Sequence, residues 1–167
     1  LNDLSELENI CDLSVRALEQ IIDYQDYPVK AAEVSTKKRR SLGIGYIGLA
    51  HYLAKNGVKY SDPKAWDLVD RLTEAFQYNL LRASCNIAME KGKCEGFERT
   101  KYADGLLPID HYKKDVDKIV PHKQRMAWES LRKDIAKHGL RHSTLSAQMP
   151  SESSSVVSNE TNGIEPP

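Results

Sequence analysis

One stretch near the C-terminus decides the fold class, and it reads Ser143-Thr144-Leu145-Ser146-Ala147-Gln148-Met149-Pro150-Ser151-Glu152-Ser153-Ser154-Ser155. The small residues at 141–148 favour a short extended strand. The serine-rich residues 151–155, together with residues 159–163, are typical of a polar loop. We therefore expect a strand that ends in a turn at this point of the chain.

The sequence upstream of this stretch is predicted to be mainly helical. A first helix has Asp3 or Ser5 as its N-cap and ends before Pro28. A short buried helix is expected within residues 42–53, and it ends at Asn56-Gly57. The first helix carries one apolar stripe at helical spacing, formed by Leu7, Ile10, Cys11, Leu18, Ile21 and Ile22.

The clearest helix begins at Asp62-Pro63, where an N-cap residue precedes a proline at the first helical position, and ends at Gly92. A further helix is centred on Trp128 and Leu131 and ends at Gly139. Helices with one strand-to-loop edge suit part of a larger α/β architecture better than a closed helical domain.

Composition sets limits on function. The 167 residues suffice for one domain, and 24 basic against 24 acidic side chains give no overall attraction to nucleic acid or membrane. The longest apolar stretch, residues 42–50, is far shorter than the roughly 20 residues that cross a bilayer. Three cysteines without a CxxC pair predict reduced thiols and a cytoplasmic location. The chain has no initiator methionine, and we expect it to be cut at both ends.

Two motifs suggest chemistry that their context does not support. Residues 43–48 match GxGxxG, but a basic polar segment precedes them where a dinucleotide site needs an apolar strand, so we expect glycines that allow close packing. The basic run at residues 37–40 has no interleaved aromatic residues. We therefore favour a solvated connector over a nucleic-acid patch.

The cysteines and histidines are not predicted to form a reactive or metal site. Cys11 and Cys85 lie on predicted helices and are expected to be buried thiols, whereas Cys94 lies in a loop where it is open to exposure. No basic pair or histidine lies close enough to Cys94 to suggest an activated thiolate. The five histidines, including His122, show no metal-ligand spacing.

The serine-rich turn offers a more specific possibility. A turn that leads into a helix N-terminus presents amide and hydroxyl donors, which suit a diphosphate. Glu152 is awkward beside an anion unless it faces another part of the ligand, such as a ribose hydroxyl. From the residues alone, a solvated serine-rich turn remains an equal alternative.

Several segments of the chain, in order, resemble the large subunits of class I ribonucleotide reductases. The longest is the stretch 143–155 followed by residues 158–166. The others are Asp23-Tyr24-Gln25-Asp26-Tyr27-Pro28, Arg39-Arg40-Ser41-Leu42-Gly43-Ile44-Gly45, Leu49-Ala50-His51-Tyr52-Leu53-Ala54 and Gly105-Leu106-Leu107-Pro108-Ile109-Asp110.

This resemblance implies that residues 1–167 form an incomplete part of a ten-stranded α/β barrel built from two antiparallel five-stranded halves. It further implies that Ser151, Glu152, Ser153 and Ser154 bind the substrate, with the turn holding its diphosphate. Position 153 is often threonine in this family, and serine keeps the hydroxyl.

The implied reaction reduces ribonucleoside diphosphates to 2′-deoxyribonucleoside diphosphates for DNA synthesis through a thiyl radical. The implied partners are the rest of the large subunit, a second large subunit, a radical-generating small subunit with a metal-radical cofactor, and a reductant of the thioredoxin or glutaredoxin type. The family's catalytic residues match no position here, so we expect no catalytic residue, no cofactor or metal bound by this segment, and no activity from it alone. Neither membrane nor nucleic acid is an expected partner.

A second class of function stays open at this stage. The chain could be a non-catalytic helical interaction module that keeps the family sequence and docks to a partner through the long helix from Asp62 to Lys91.

Overall fold

A computed structural model of the chain describes residues 4–120 and 123–166. Within these ranges, the only β pairing is an isolated parallel bridge between Ile44 and Ser146. Two 3-10 turns occur at Phe97–Arg99 and Lys114–Lys118. The helices are α1 (Ser5–Tyr24), α2 (Lys30–Arg39), α3 (Leu49–Lys55), α4 (Pro63–Lys91), α5 (Pro108–His111), α6 (Trp128–His138) and α7 (Ser153–Ser158).

The two clearest helical predictions are confirmed. Helix α4 has Asp62 at its N-cap position, begins at Pro63 and ends before Gly92, which adopts a positive φ of 84°. Helix α6 ends before Gly139, whose φ is 74°. Glycine at both C-termini fits because it adopts positive φ without the steric penalty that a Cβ atom brings.

The core forms where α1 and α6 pack against α4. Leu80 and Leu81 of α4 are fully buried, as are Val15 of α1 and Leu131 of α6. Trp128 joins them and donates its indole N–H to the Glu74 carboxylate at 2.9 Å, so its polar atom is satisfied inside the core. No helix in the described part of the chain is both long and apolar enough to cross a bilayer.

The first helix differs in detail from its prediction. It begins at Ser5 with Leu4 at the N-cap position, so Ser5 is not the cap, and Asp3 lies outside the described residues. Ile10 and Ile21 of the predicted apolar stripe are half exposed. The buried face instead includes Glu19, a charged residue that hydropathy alone assigns to the surface.

The prediction of a solvated connector at residues 37–40 is correct for the exposure of residues 37–39 but wrong about their conformation and about Arg40. Residues 37–39 end helix α2, and Arg40 is buried with a left-handed φ of 49°. Lys37 pairs with Glu33 at 2.9 Å and Lys38 pairs with Glu95 at 2.9 Å. Lys37, Lys38 and Arg40 therefore contact separate carboxylates.

The glycines at 43–48 allow close packing, as expected, but between two extended segments and not between helices. Residues 41–47 run beside residues 143–149, and α3 begins only at Leu49. A Cβ atom at Gly45 would clash with the carbonyl oxygen of Ala147. The predicted helix over residues 42–53 is therefore correct only in its second half.

The predicted strand at residues 141–148 is reduced to the single bridge at Ser146. Among the described residues, the extended segment that bonds its backbone is 41–47, while the Arg141 amide bonds the Ser84 carbonyl of α4. Backbone hydrogen bonds to a second neighbouring strand would be needed to extend such a segment into a strand of a sheet. The chain is thus mainly helical, with one paired extended element.

Replacing Gly45 with alanine tests this packing. We expect Gly45→Ala to destabilise the paired segments by about 1–3 kcal/mol, because overpacking forces the backbone apart. Hydrogen exchange at residues 143–149 of the intact protein should accelerate. The control is Gly43→Ala, whose added Cβ would lie 3.3 Å from the Ala147 Cβ, a contact that a small shift relieves. Equal exchange in both variants would contradict the packing described here.

Candidate functional site

Two extended segments support the predicted serine-rich turn. The Leu42 amide donates to the Thr144 carbonyl and the Ile44 amide to the Leu145 carbonyl, both at 2.9 Å. The Ala147 amide returns a bond to the Ile44 carbonyl at 3.1 Å. These bonds hold residues 143–147 in register beside residues 42–44. The turn follows at Pro150.

The turn itself leads into a helix, so the prediction of a polar loop over residues 151–155 is wrong for residues 153–155, which form the first turn of α7. Glu152 has an unusual backbone conformation with φ 33° and ψ −99°, and α7 begins at the next residue. Positive φ is uncommon for a residue other than glycine and persists where surrounding bonds impose it. The four predicted substrate-binding residues are contiguous here: Ser151 is half-buried, and Glu152, Ser153 and Ser154 are exposed.

Asn162 imposes the conformation of the turn. Its side-chain oxygen Oδ1 accepts hydrogen bonds from the Ser151 amide at 2.6 Å, the Ser151 hydroxyl at 3.1 Å and the Glu152 amide at 3.1 Å. The sequence placed Asn162 only in a polar loop. The signal that could have found it is the tendency of asparagine to bond nearby backbone amides, but the choice of amides ten residues away needs the fold.

The hydroxyl groups of the turn fall into two sets. The hydroxyl of Ser151 bonds Asn162, that of Ser155 donates to the Glu152 carbonyl at 2.6 Å, and that of Ser158 donates to the Ser154 carbonyl at 2.7 Å. By contrast, the hydroxyls of Ser153 and Ser154 bond to no group in the described part of the chain. The free donors therefore lie together at the start of α7.

The backbone amides of the turn divide in the same way. The Ser154 amide donates to the Ser151 carbonyl at 2.8 Å and the Ser155 amide to the Glu152 carbonyl at 3.1 Å. The Ser153 amide, the first of α7, has no acceptor among the described residues. One amide and two hydroxyls of two consecutive exposed residues thus lack an acceptor among the described residues, and this donor set suits an anionic oxygen ligand.

A hydrogen bond between His51 and Glu160 lies at the base of the turn. His51 Nδ1 lies 2.7 Å from the Glu160 carboxylate, and the Gly48 amide donates to the Thr161 carbonyl at 2.9 Å. A Cβ atom at Gly48 would press into the Glu160 side chain, and its φ of 74° also favours glycine. These contacts tie the start of α3 to the segment that carries Asn162.

The cysteines lie away from this turn and are inert by environment. Cys11 and Cys85 are buried, as predicted, and burial raises the pKa of each thiol to about 11. The expectation that Cys94 could be exposed is wrong: it is 2% exposed, and burial raises its pKa as well. Its amide bonds the Leu140 carbonyl at 3.0 Å, a long-range contact that encloses it.

Metal-ligating side chains and cavities are the other features that could form a site. No group of three or more His, Cys, Asp or Glu side chains suited to a metal occurs among residues 4–120 and 123–166, and His122 lies outside these ranges. A mainly apolar cavity of about 660 Å³ lies beside α3 and α4, and residues 150–166 do not line it.

Comparison with known proteins gives a consistent result. The family model described as ribonucleotide reductase, barrel domain, matches residues 2–167. The ribonucleoside-diphosphate reductase subunit alpha of Haemophilus influenzae is 60% identical over 171 residues, which cover 99% of this chain and 23% of that protein. The subunit alpha of Buchnera aphidicola from Schizaphis graminum is 56% identical over 100% of this chain and 22% of its own length. Ribonucleoside-diphosphate reductase 1 subunit alpha of Escherichia coli is 56% identical over 87% of this chain and 19% of its own. The chain therefore spans less than a quarter of the length of these relatives.

Asn162→Ala tests the origin of the turn's conformation. Loss of the Oδ1 acceptor should increase hydrogen exchange at the Ser151 and Glu152 amides about tenfold in the intact protein, because each lost bond contributes roughly 1 kcal/mol. Asn162→Asp retains an acceptor oxygen and should exchange much more slowly than the alanine variant. Unchanged protection in Asn162→Ala would show that other contacts hold the turn.

Proposed function

Because this chain belongs to the ribonucleotide reductase barrel-domain family, we propose that it is part of the large subunit of a class I ribonucleoside-diphosphate reductase and supplies the loop that binds the substrate's diphosphate. In this proposal the loop residues are Ser151, Glu152, Ser153 and Ser154. The complete enzyme reduces ribonucleoside diphosphates to 2′-deoxyribonucleoside diphosphates.

The observation that supports assigning this loop to the diphosphate is that some of its serine hydroxyls are hydrogen-bonded and others are not. Ser151, Ser155 and Ser158 use theirs to build the turn and α7. Ser153 and Ser154 do not, so their hydroxyls and the Ser153 amide are free to replace the water around a phosphate oxygen. The Ser153 amide is held by the backbone of α7 before the ligand arrives, so this donor loses little entropy on binding. Ser151 then acts mainly through the turn's shape, since its hydroxyl already bonds Asn162.

Glu152 takes a different role in this proposal. Its carboxylate is exposed at the head of the turn and would repel a phosphate at short range. A carboxylate only accepts hydrogen bonds, and a ribose hydroxyl donates them. We assign Glu152 to the sugar side of the ligand, with the two serines on the diphosphate side.

The chemical steps belong to other parts of the enzyme. Thiyl-radical chemistry needs a cysteine sulfur that reaches the ribose, whereas Cys11, Cys85 and Cys94 are buried within the core of this chain. We propose that this segment holds the substrate, that cysteines elsewhere in the large subunit react, and that the segment alone is inactive. A ten-stranded barrel completed by the rest of the subunit would enclose the turn.

The proposed assembly follows from the same premise. It comprises a large-subunit dimer in the cytoplasm, a small subunit whose metal-radical cofactor starts the reaction, and a thioredoxin- or glutaredoxin-type reductant. The described residues offer no cluster of side chains that fits a metal. No step involving the metal is therefore assigned to this chain.

The structure does not favour the interaction-module alternative. That alternative needs an apolar face of α4 free to dock, but the face that carries Leu80, Leu81 and Ile87 is buried in the core with α1 and α6. Trp66, at the exposed end of α4, donates its indole N–H to the Tyr60 carbonyl at 2.7 Å. The C-terminal half of the helix thus serves the interior of this chain.

The combined variant Ser153→Ala, Ser154→Ala tests the loop assignment in the full-length enzyme. We expect KM for ribonucleoside diphosphates to rise at least about tenfold with a smaller change in kcat, because hydrogen bonds to a charged phosphate contribute roughly 1.5–3 kcal/mol each. The matched control is Ser158→Ala on the same helix, whose hydroxyl bonds the backbone of α7, and its KM should stay near the parent value. A double variant with unaltered KM would refute the assignment.

A further inference from the structure

We propose that Glu19 is a positioning residue for the substrate turn, because its buried carboxylate fixes the starts of both extended segments that support the turn. This inference rests on the proposed function of residues 151–154. Glu19 lies on α1, more than 120 residues before the turn in sequence, and touches none of the proposed substrate contacts.

Both oxygens of the Glu19 carboxylate accept hydrogen bonds. Oε2 accepts hydrogen bonds from Arg40 Nε at 2.7 Å and from His142 Nε2 at 3.0 Å, while Oε1 accepts one from Arg141 Nε at 2.8 Å. Glu19 is 1% exposed. We call Glu19, Asp23, Arg40, Ser84, Arg141 and His142 the Glu19 cluster.

Arg40 anchors the first extended segment. It directly precedes residue 41, and its guanidinium also donates to the Asp23 carboxylate at 2.7 and 3.0 Å and to the Glu19 carbonyl at 3.3 Å. Its left-handed backbone redirects the chain from α2 into the segment. A conformation that is unfavourable for arginine is thus held by ion pairs with α1.

Arg141 and His142 anchor the second segment. The His142 amide donates to the Ser84 hydroxyl at 3.2 Å, and that hydroxyl donates to His142 Nδ1 at 2.9 Å. Arg141 also donates to the Gly92 carbonyl at 3.2 Å, just past the end of α4. The residues that precede position 143 are therefore bonded to α1 and to α4 at once.

The cluster is balanced in charge. Burial lowers the pKa of His142, although Glu19 opposes this, so the imidazole is neutral and donates from Nε2. Burial by itself would raise the pKa of Glu19, but its bonds from His142, Arg40 and Arg141 lower it to about 2. Two carboxylates then face two guanidinium groups, and loss of the Glu19 charge would leave buried cations undercompensated.

The anchored starts determine where the turn lies. From Arg40 and His142 the two segments run in parallel and exchange backbone bonds as far as Ala147, and Gln148 adds a side-chain bond to the Tyr46 carbonyl at 2.6 Å. A slip of one residue would displace the turn by about 3.3 Å. Misplacement of about 1 Å already suffices to weaken a binding or reacting geometry strongly.

Steady-state kinetics of the full-length enzyme test this inference. We expect Glu19→Gln to raise KM for ribonucleoside diphosphates about tenfold while kcat at saturating substrate changes by less than about threefold. In the background of Ser153→Ala, Ser154→Ala, the same change should add little further effect, because both act through the turn. The matched control is Glu90→Gln, which breaks the exposed ion pair between Arg16 of α1 and Glu90 of α4 and should leave KM unchanged.

The outcomes separate the two proposals. If the serine variants leave KM unaltered, the loop assignment fails. If the serine variants raise KM and Glu19→Gln does not, the loop assignment stands but Glu19 does not position the turn. The same conclusion follows if the rises in KM caused by Glu19→Gln and by the serine changes multiply in the combined variant. Should Glu19→Gln fail to fold, Ser84→Ala decides: we expect KM to rise about threefold with faster hydrogen exchange at residues 143–149, and no change in either overturns the inference.

Discussion

The organisation of this chain depends on the hydrogen bonds that the buried carboxylate of Glu19 accepts. It accepts bonds from Arg40, Arg141 and His142, three residues that are distant from it in sequence. Because a buried charge is tolerated only when it is paired and hydrogen-bonded, these three residues must meet at α1. The paired extended segments begin at that meeting point.

The paired extended segments connect this meeting point with the candidate site. The paired segments end at a turn whose shape Asn162 sets, and the turn delivers the first residues of α7 to the surface. Ser153 and Ser154 occupy that position with their hydroxyls unused. An arrangement that satisfies its own structural bonds and leaves adjacent donors open is what a preformed anion site requires, which is why we connect this turn with the diphosphate of a ribonucleotide.

Sequence reasoning succeeded where local chemistry determines the outcome. Asp62-Pro63 and Gly92 predicted the bounds of α4 because N-caps, N-terminal prolines and C-terminal glycines act within one helical turn. It failed where distant residues decide. Helix α2 has no marked apolar face, Arg40 is buried through partners 17 and 21 residues away, and Cys94 is enclosed through Leu140. The family resemblance located the turn but gave no sign of Asn162 or Glu19, since side-chain partners that far apart carry no local pattern.

The central claim is that residues 151–154 hold the substrate's diphosphate. A crystal structure of the full-length large subunit with a bound ribonucleoside diphosphate measures this most directly. We expect phosphate oxygens within hydrogen-bonding distance of the Ser153 amide and of the Ser153 and Ser154 hydroxyls, with Asn162 still bonded to the amides of Ser151 and Glu152. A diphosphate bound by other residues, with this turn remote from the ligand, would contradict it.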